Sequence, residues 1–386
     1  MQPWNEDAFV NKLFPKERQN DINTSCSTRY VYESNEIRIT RLAAQSFLVF
    51  AGVLFNIIIC VLNLKHSNIN AAIRVYLRNM AVADIGVLLI GFLFAVAKEQ
   101  EGTSKWVLGG VACRYIYPVT DMFYAVTVWT VVAIAVERCH IMKGDSGSWN
   151  SGPSRGLRTV LILWFTAFFA ISVPLFFASN YKSSCGRRYC FIRWPTASDG
   201  NNIPPKIHSL FLLFVIVILP VVVILVSCCR LAFGYRHSSG VCNPDRDSMR
   251  QRLRSDNSEN SEQDEVRHHE CDDAKRFLTP LVILLVISTI PMLVLRTIFI
   301  FSSQKLTLEN YLVLLNISIM LTVCNSAVRP FVYYVVSQDV RDGFSLLVNR
   351  VKRRLRMCCR KHDETTIPLQ DNVAITRHSC YKETTL

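Results

Sequence analysis

The chain has 386 residues, half of them hydrophobic, with a mean hydropathy of +0.23 and a formal net charge of +13. Soluble domains reach the same apolar fraction, so the clustering of the apolar residues decides the class. The positive charge gathers in arginines that flank apolar runs, where anionic lipid is the natural counter-charge, and this excludes a nucleic-acid role.

Residues 1–41 are polar, and their start (MQPWNEDAFVNKLFPKERQND) is not expected to act as a signal peptide, so insertion relies on the first apolar run. Within this segment Asn23-Thr24-Ser25 is a sequon that makes Asn23 a glycosylation candidate. Seven apolar runs follow, near 42–64, 73–97, 111–136, 158–179, 207–233, 277–301 and 308–336. Each is about as long as a bilayer core requires, roughly 20 residues at 1.5 Å per residue. In lipid the backbone must satisfy its own hydrogen bonds, so the runs are expected to be helices. The loop near 234–274 is rich in Ser, Asp, Glu and Arg and is expected to be largely disordered.

After the last run, Val340, Phe344, Leu347, Val348 and Val351 recur at helical spacing with basic residues opposite. That pattern predicts an amphipathic helix over 337–357, lying along the membrane. In the polar tail, 358–386, Cys358 and Cys359 are palmitoylation candidates that would add a second anchor. Thr384-Thr385-Leu386 has the form of a PDZ ligand, carried by Thr384 and Leu386. Serines and threonines of the loop and tail are candidates for phosphorylation and arrestin capture.

Seven spans put the termini on opposite faces. The 230–276 loop and Lys352, Arg353, Arg354 and Arg356 place an excess of Arg and Lys inside when the N-terminus is outside and the C-terminus cytoplasmic. With that topology Cys26, Cys113, Cys185 and Cys190 face the oxidising side; four cysteines allow three connectivities, and the sequence alone does not choose. There is no GxSxG, HExxH, P-loop or metal-spaced Cys/His cluster at a plausible site, so neither an enzyme nor a metal or cofactor site is expected. No internal repeat suggests the inverted halves of a transporter, the rival class kept alongside a channel.

Several features in order resemble the rhodopsin-like G-protein-coupled receptors over roughly residues 42–357. Asn56 lies in the first span and Asp84 in the second; Trp106 stands seven residues before Cys113. The third span ends in Glu137-Arg138-Cys139, Trp164 marks the fourth, and Pro220, Pro291 and Pro330 mark the fifth to seventh. The last carries NSAVRPFVY, similar to the family's NSxxNPxxY and ending at Tyr333. The chain departs from the pattern at Thr289, where the family has the tryptophan of CWxP, at Arg329 before Pro330, and at Cys228 and Cys271. The resemblance implies an all-α membrane protein in the plasma membrane, a seven-transmembrane helix bundle with a short amphipathic eighth helix.

It also implies roles. Glu137 is expected to hold Arg138 in an ion pair at rest, with Pro330 and Tyr333 completing the G-protein coupling switch. Asn56, Asp84, Thr127, Asn325 and Ser326 are expected to form an intramembrane polar network that takes a sodium ion in the family. Here Arg329 is expected to pair with Asp84 in the ion's place. Cys113 is expected to pair with Cys190, leaving Cys26 and Cys185 for a second bridge; the alternative pairs Cys185 with Cys190 around a small turn and leaves Cys26 with Cys113.

For the ligand, the pocket candidates are Thr120, Asp121, Arg193, Trp194, Thr289 and Arg296. Amine receptors need an acid where Thr120 stands, and Asp121 is rotated from it by about 100°. The segment 190–195 resembles the second outer loop of peptide receptors, and its basic neighbours favour an acidic or carbonyl-rich ligand. The preferred expectation is therefore a neuropeptide receptor, most like FMRFamide-type receptors, signalling to heterotrimeric G proteins; a small-molecule or amine ligand is the alternative.

Overall fold

A computed structural model describes the protein over residues 34–62, 70–99, 106–116, 118–142, 153–184, 187–192, 203–239, 276–291, 294–295, 298 and 308–364. Six helices among these are long and apolar enough to cross a membrane, and Arg276–Pro291 is a shorter apolar one. We label them in chain order: α1 (Asn35–Val61), α2 (Ala71–Glu99), α3 (Val119–Met142), α4 (Pro153–Ala178), α5 (Ile203–Leu213, Phe214–Ile218 and Leu219–Ser239), α6 (Arg276–Pro291), α7 (Leu308–Val336) and α8 (Gln338–Glu364). The fold is the membrane helix bundle that the sequence predicts.

Several boundaries differ from those read off hydropathy, because a helix ends where its caps and neighbours dictate rather than where apolarity stops. α1 begins at Asn35, not 42, since the Ser34 hydroxyl caps it by accepting from Ile37 N–H at 3.4 Å. α5 runs on to Ser239, into the segment assigned to the 234–274 loop. α8 reaches Glu364 instead of 357 and takes in the start of the tail. The fold is not purely helical: β1 (Ser179–Ser184) and β2 (Arg187–Ile192) form an antiparallel hairpin in register from Ser179 opposite Ile192 to Ser184 opposite Arg187.

Three helical stretches widen into a single π turn, at Ala112–Ile116, Phe168–Ser172 and Phe214–Ile218. Each ends two residues before a proline, Pro118, Pro174 and Pro220 respectively. A proline offers no N–H to the carbonyl four residues back and crowds it, and a widened turn relieves both problems. The Ser172 hydroxyl donates to one such proline's own carbonyl, Pro118 O, at 3.3 Å.

Lipid gives helices no hydrophobic reason to associate, so close approach and polar links must hold them. Gly52 of α1 supplies the first: a Cβ there would meet Ala327 Cβ and Leu88 Cδ1 at 2.8 Å, so α1, α2 and α7 touch backbone to side chain. Asn79 supplies the second. It donates to Thr130 Oγ1 at 2.8 Å and accepts from Trp164 Nε1 at 2.7 Å, tying α2 to α3 and α4. The core runs along α3 through Val126, Val128, Val131, Ile134 and Ala135 against Ile73, Leu77 and Met80 of α2. The outer faces present Phe47, Phe50, Phe165, Phe177 and Phe331, all exposed, as a greasy surface suited to lipid.

Candidate functional site

The site is built along α3 at four depths. At the outer end a disulfide joins Cys113 to Cys190, with Cα atoms 5.6 Å apart. Cys190 lies in β2, opposite Tyr181, so the bond fastens the hairpin over the top of α3. Trp106 is buried beside it and donates from Nε1 to Gly109 O at 2.7 Å, across a turn whose left-handed φ of 80° glycine accepts readily. Cys26, Cys185, Asn23, Arg193, Trp194, Arg296 and Cys271 lie outside the described residues, as do Thr384 and Leu386; of Cys358 and Cys359 only the helical backbone of α8 is described.

At mid-depth Thr289 stands two residues before Pro291 on α6. Its hydroxyl donates to Leu285 O at 2.6 Å and shares a 2.7 Å hydrogen bond with the Tyr124 hydroxyl of α3. A tyrosine from α3 thus meets a threonine where an α6 aromatic was to be expected. Sequence reading missed Tyr124, although it falls four residues after Thr120 and so on the same face. Thr120 and Asp121 are both half-buried, and Thr120 Oγ1 is sealed from solvent without a hydrogen-bond partner.

Deeper still, Arg329 of α7 donates from Nη1 to Asp84 Oδ1 of α2 at 2.8 Å, with both side chains completely buried. Thr127 Oγ1 reaches the same carboxylate oxygen at 3.5 Å. Asn56 Nδ2 donates to Ser326 O at 3.1 Å, and Asn325 Nδ2 to Ser288 Oγ at 2.8 Å, so α1, α2, α3, α6 and α7 converge on one polar layer. A sodium ion does not fit these residues: Asp84 Oδ1 already accepts from a guanidinium that carries the charge the ion would supply. Asp84 Oδ2, Asn56 Oδ1, Asn325 Oδ1 and Arg329 Nε and Nη2 are buried and make no hydrogen bond within the described residues.

At the inner end the structure corrects the expected Glu137–Arg138 pair. Glu137 is buried and its Oε2 lies 3.6 Å from Arg155 Nη2 at the start of α4. Neighbouring residues on a helix point about 100° apart, so an acid and an arginine in sequence do not face each other. The Arg138 guanidinium instead lies over the Phe277 ring of α6, 5.8 Å from its centroid. Phe277 stacks on Tyr333 of α7 at 5.8 Å and 18°, and the fully buried Tyr333 donates to Met80 Sδ of α2 at 3.1 Å. Arg155 and Phe277 escaped the sequence reading, because nothing in a linear pattern says which helix starts opposite the foot of α3.

The arrangement offers an outer rim fixed by a covalent bond, a buried polar layer, and an inner end closed by a guanidinium–ring–ring stack. The family model described as seven-transmembrane receptor (rhodopsin family) matches residues 55–333, which is more than half of the chain. Among the relatives, the blue-sensitive opsin of Anolis carolinensis is 26% identical over 198 residues, 50% of this chain and 53% of the opsin. The green-sensitive opsin of Gallus gallus gives the same identity and coverage. The rhodopsin of Sargocentron punctatissimum is 23% identical over 225 residues, 56% of this chain and 64% of the rhodopsin. The chain thus spans about half the length of the two opsins and less than two thirds of the rhodopsin.

Proposed function

The chain belongs to the rhodopsin family of seven-transmembrane receptors, and on that premise we propose that it is a plasma-membrane receptor whose extracellular ligand is a peptide and whose cytoplasmic partner is a heterotrimeric G protein. The observation that carries the proposal is α3 itself. The π turn that leads into it is tied to the outer hairpin at Cys113, and the helix itself is hydrogen-bonded to α6 at Tyr124 and packed on α6 again through Arg138. A ligand that draws Thr289 and Tyr124 apart loosens α6 at mid-depth, and opening of the Arg138–Phe277–Tyr333 stack then frees Arg138 at the inner face. The Asp84–Arg329 layer suits such a change, since a shift of α7 breaks the Arg329–Asp84 hydrogen bond and offers either group the other polar side chains of the layer. The ligand acts only through the difference in its affinity for the two arrangements.

A peptide suits the outer face because Lys182, Arg187 and Arg188 fall on the hairpin strands and attract an acidic or carbonyl-rich ligand. An amine has no acid at Thr120 to meet it. The relatives' names favour a second reading, a small-molecule ligand, but the light sensitivity in those names does not carry over readily. A ligand held as an imine needs a lysine amine, and the apolar spans contain no lysine. Arrestin and a PDZ partner at Leu386 belong to the same proposal, as do glycosylation at Asn23 and acylation at Cys358 and Cys359.

The test is a panel of G-protein activation sensors in cells expressing the receptor, challenged with a peptide library, a small-molecule set and light. Activation by one or more peptides is the expected result. Activation by small molecules or light alone defeats the peptide assignment, and silence under every stimulus, with the receptor at the surface, defeats the signalling role.

A further inference from the structure

Near the inner end of the bundle, α3 and α5 bring two thiols together. Cys139 and Cys228 are both half-buried, both pack on the core that runs along α3, and neither takes part in a disulfide. Thr127 and Thr130, on the same helix as Cys139, turn their hydroxyls back to the carbonyl four residues earlier. The Cys139 Sγ instead crosses to α5 and donates to Ser227 O at 3.2 Å. That oxygen belongs to the peptide unit leading into Cys228, so the Cys139 sulfur lies within about 6 Å of the Cys228 Cα. The two thiols are within electrostatic reach of each other.

Cysteines joined by a disulfide hold their Cα atoms roughly 4.4–6.8 Å apart. A change of rotamer with an ångström-scale approach of the two helices is enough to meet that range. The surroundings assist the chemistry, because the thiolate is the reacting form and nearby cations favour it. Arg138 directly precedes Cys139, and Arg230 lies two residues beyond Cys228. The inner face is the reducing one, so both sulfurs stay thiols until an oxidant arrives. Cys229, next in sequence, is exposed and points about 100° away around α5. It is the natural control.

We propose that Cys139 and Cys228 are an oxidisable dithiol site, with hydrogen peroxide as the oxidant, whose disulfide pins α5 to the inner end of α3. One thiol sulfur attacks a peroxide oxygen and breaks the O–O bond; it becomes a sulfenic acid, and the departing hydroxide leaves as water with the thiol's proton. The second sulfur then displaces the sulfenic hydroxyl, which takes the second thiol's proton and leaves as another water. The two thiols lose two electrons in all, and the peroxide gains them. A dithiol reductant opens the bond by exchange and is itself oxidised to a disulfide. The same turn of α3 already holds α6 through Arg138 and Phe277. With Cys139 bonded to α5, both neighbours are held at one level, and the inner end opens less. The proposal rests on the packing of α3 against α5 and not on the ligand class, so it stands or fails independently of the receptor's agonist.

Hydrogen peroxide added to the purified full-length receptor in lipid nanodiscs, followed by alkylation of the remaining thiols, tests it. Peptide mass spectrometry should find Cys139 joined to Cys228 as the main new disulfide, and a dithiol reductant should remove it. Oxidation should raise the thermal unfolding midpoint by several degrees, because the bond closes a long loop of chain. Cys139→Ser and Cys228→Ser should each lose both effects, and Cys229→Ser should keep both. The proposal is overturned if no Cys139–Cys228 bond forms, or if Cys139 joins Cys229 instead. A bond that resists the reductant, or that leaves the midpoint where it was, overturns it equally.

Discussion

Asp84 and Arg329 each place an ionisable group deep in the bundle, and neither touches solvent. Two such groups are tolerable only together, because truncating one leaves the other buried and uncompensated at about 3–5 kcal/mol. Arg329→Met should therefore lower the thermal stability of the purified receptor markedly, whereas Asp84→Leu with Arg329→Met should regain much of the loss, since an apolar pair of similar volume is often neutral. Unfolding followed by a thiol-reactive or intrinsic fluorophore reads both. A double variant as unstable as the single would show that the ion pair is not what holds this layer. The tethered guanidinium carries a second expectation: exchanging sodium for choline should leave the stability of the wild type unchanged, while Arg329→Asn should make it sodium-dependent. The pairing was legible beforehand, because a charge in mid-span demands a partner and the chain offers one opposite charge at the right depth. The unpaired Nε and Nη2 of the same arginine were not, since they depend on how closely α7 seats against α2.

Among the elements, α6 is the one whose restraint could not be read from the chain. The sequence pointed to an acid–arginine pair within α3; the structure gives Glu137 to Arg155 and holds α6 through Phe277. Both partners are contributed by other helices, and such choices rest on crossing geometry, which a hydrophobic period does not encode. The same holds for the π turns: Pro118, Pro174 and Pro220 are visible in the sequence, yet the sequence does not say that each is relieved by a widened turn and not by a kink. If Arg138 holds α6 by a cation–π contact, ring electronics should matter as well as ring volume. Phe277→Trp and Phe277→Tyr should then keep ligand-free signalling near the wild-type level, and Phe277→Leu should raise it several-fold, as the lost contact is worth about 0.5–2 kcal/mol. Basal activation of the G-protein sensors, with the spacing of spin labels at the inner ends of α3 and α6, separates these outcomes. A leucine variant that is as quiet and as closed as the wild type would reduce Phe277 to packing.

At the scale of the whole molecule, two unrelated features support the proposed orientation in the membrane. The Cys113–Cys190 bond belongs on an oxidising face, and it sits at one end of the bundle. Arg138 and Arg155 at the foot of α3 and α4, and the run from Arg350 to Arg356, all sit at the other. An excess of cations is retained on the cytoplasmic side during insertion. An even number of spans would put the two chain ends on one face whatever the charges, so the shorter α6 is the element on which topology turns. Its buried Phe277, Leu278, Leu281 and Leu285 alternate with exposed Ile283, Ile287 and Ile290, the pattern of a helix with one face on protein and one on lipid. If α6 spans, an epitope placed before Asn35 should be stained on intact cells and one placed after Glu364 only after permeabilisation. Staining of both on intact cells, or of neither, would mean that α6 turns back without crossing. In that case Arg138 and Tyr333 could not share an inner face, and the stack through Phe277 would lose its meaning as a gate.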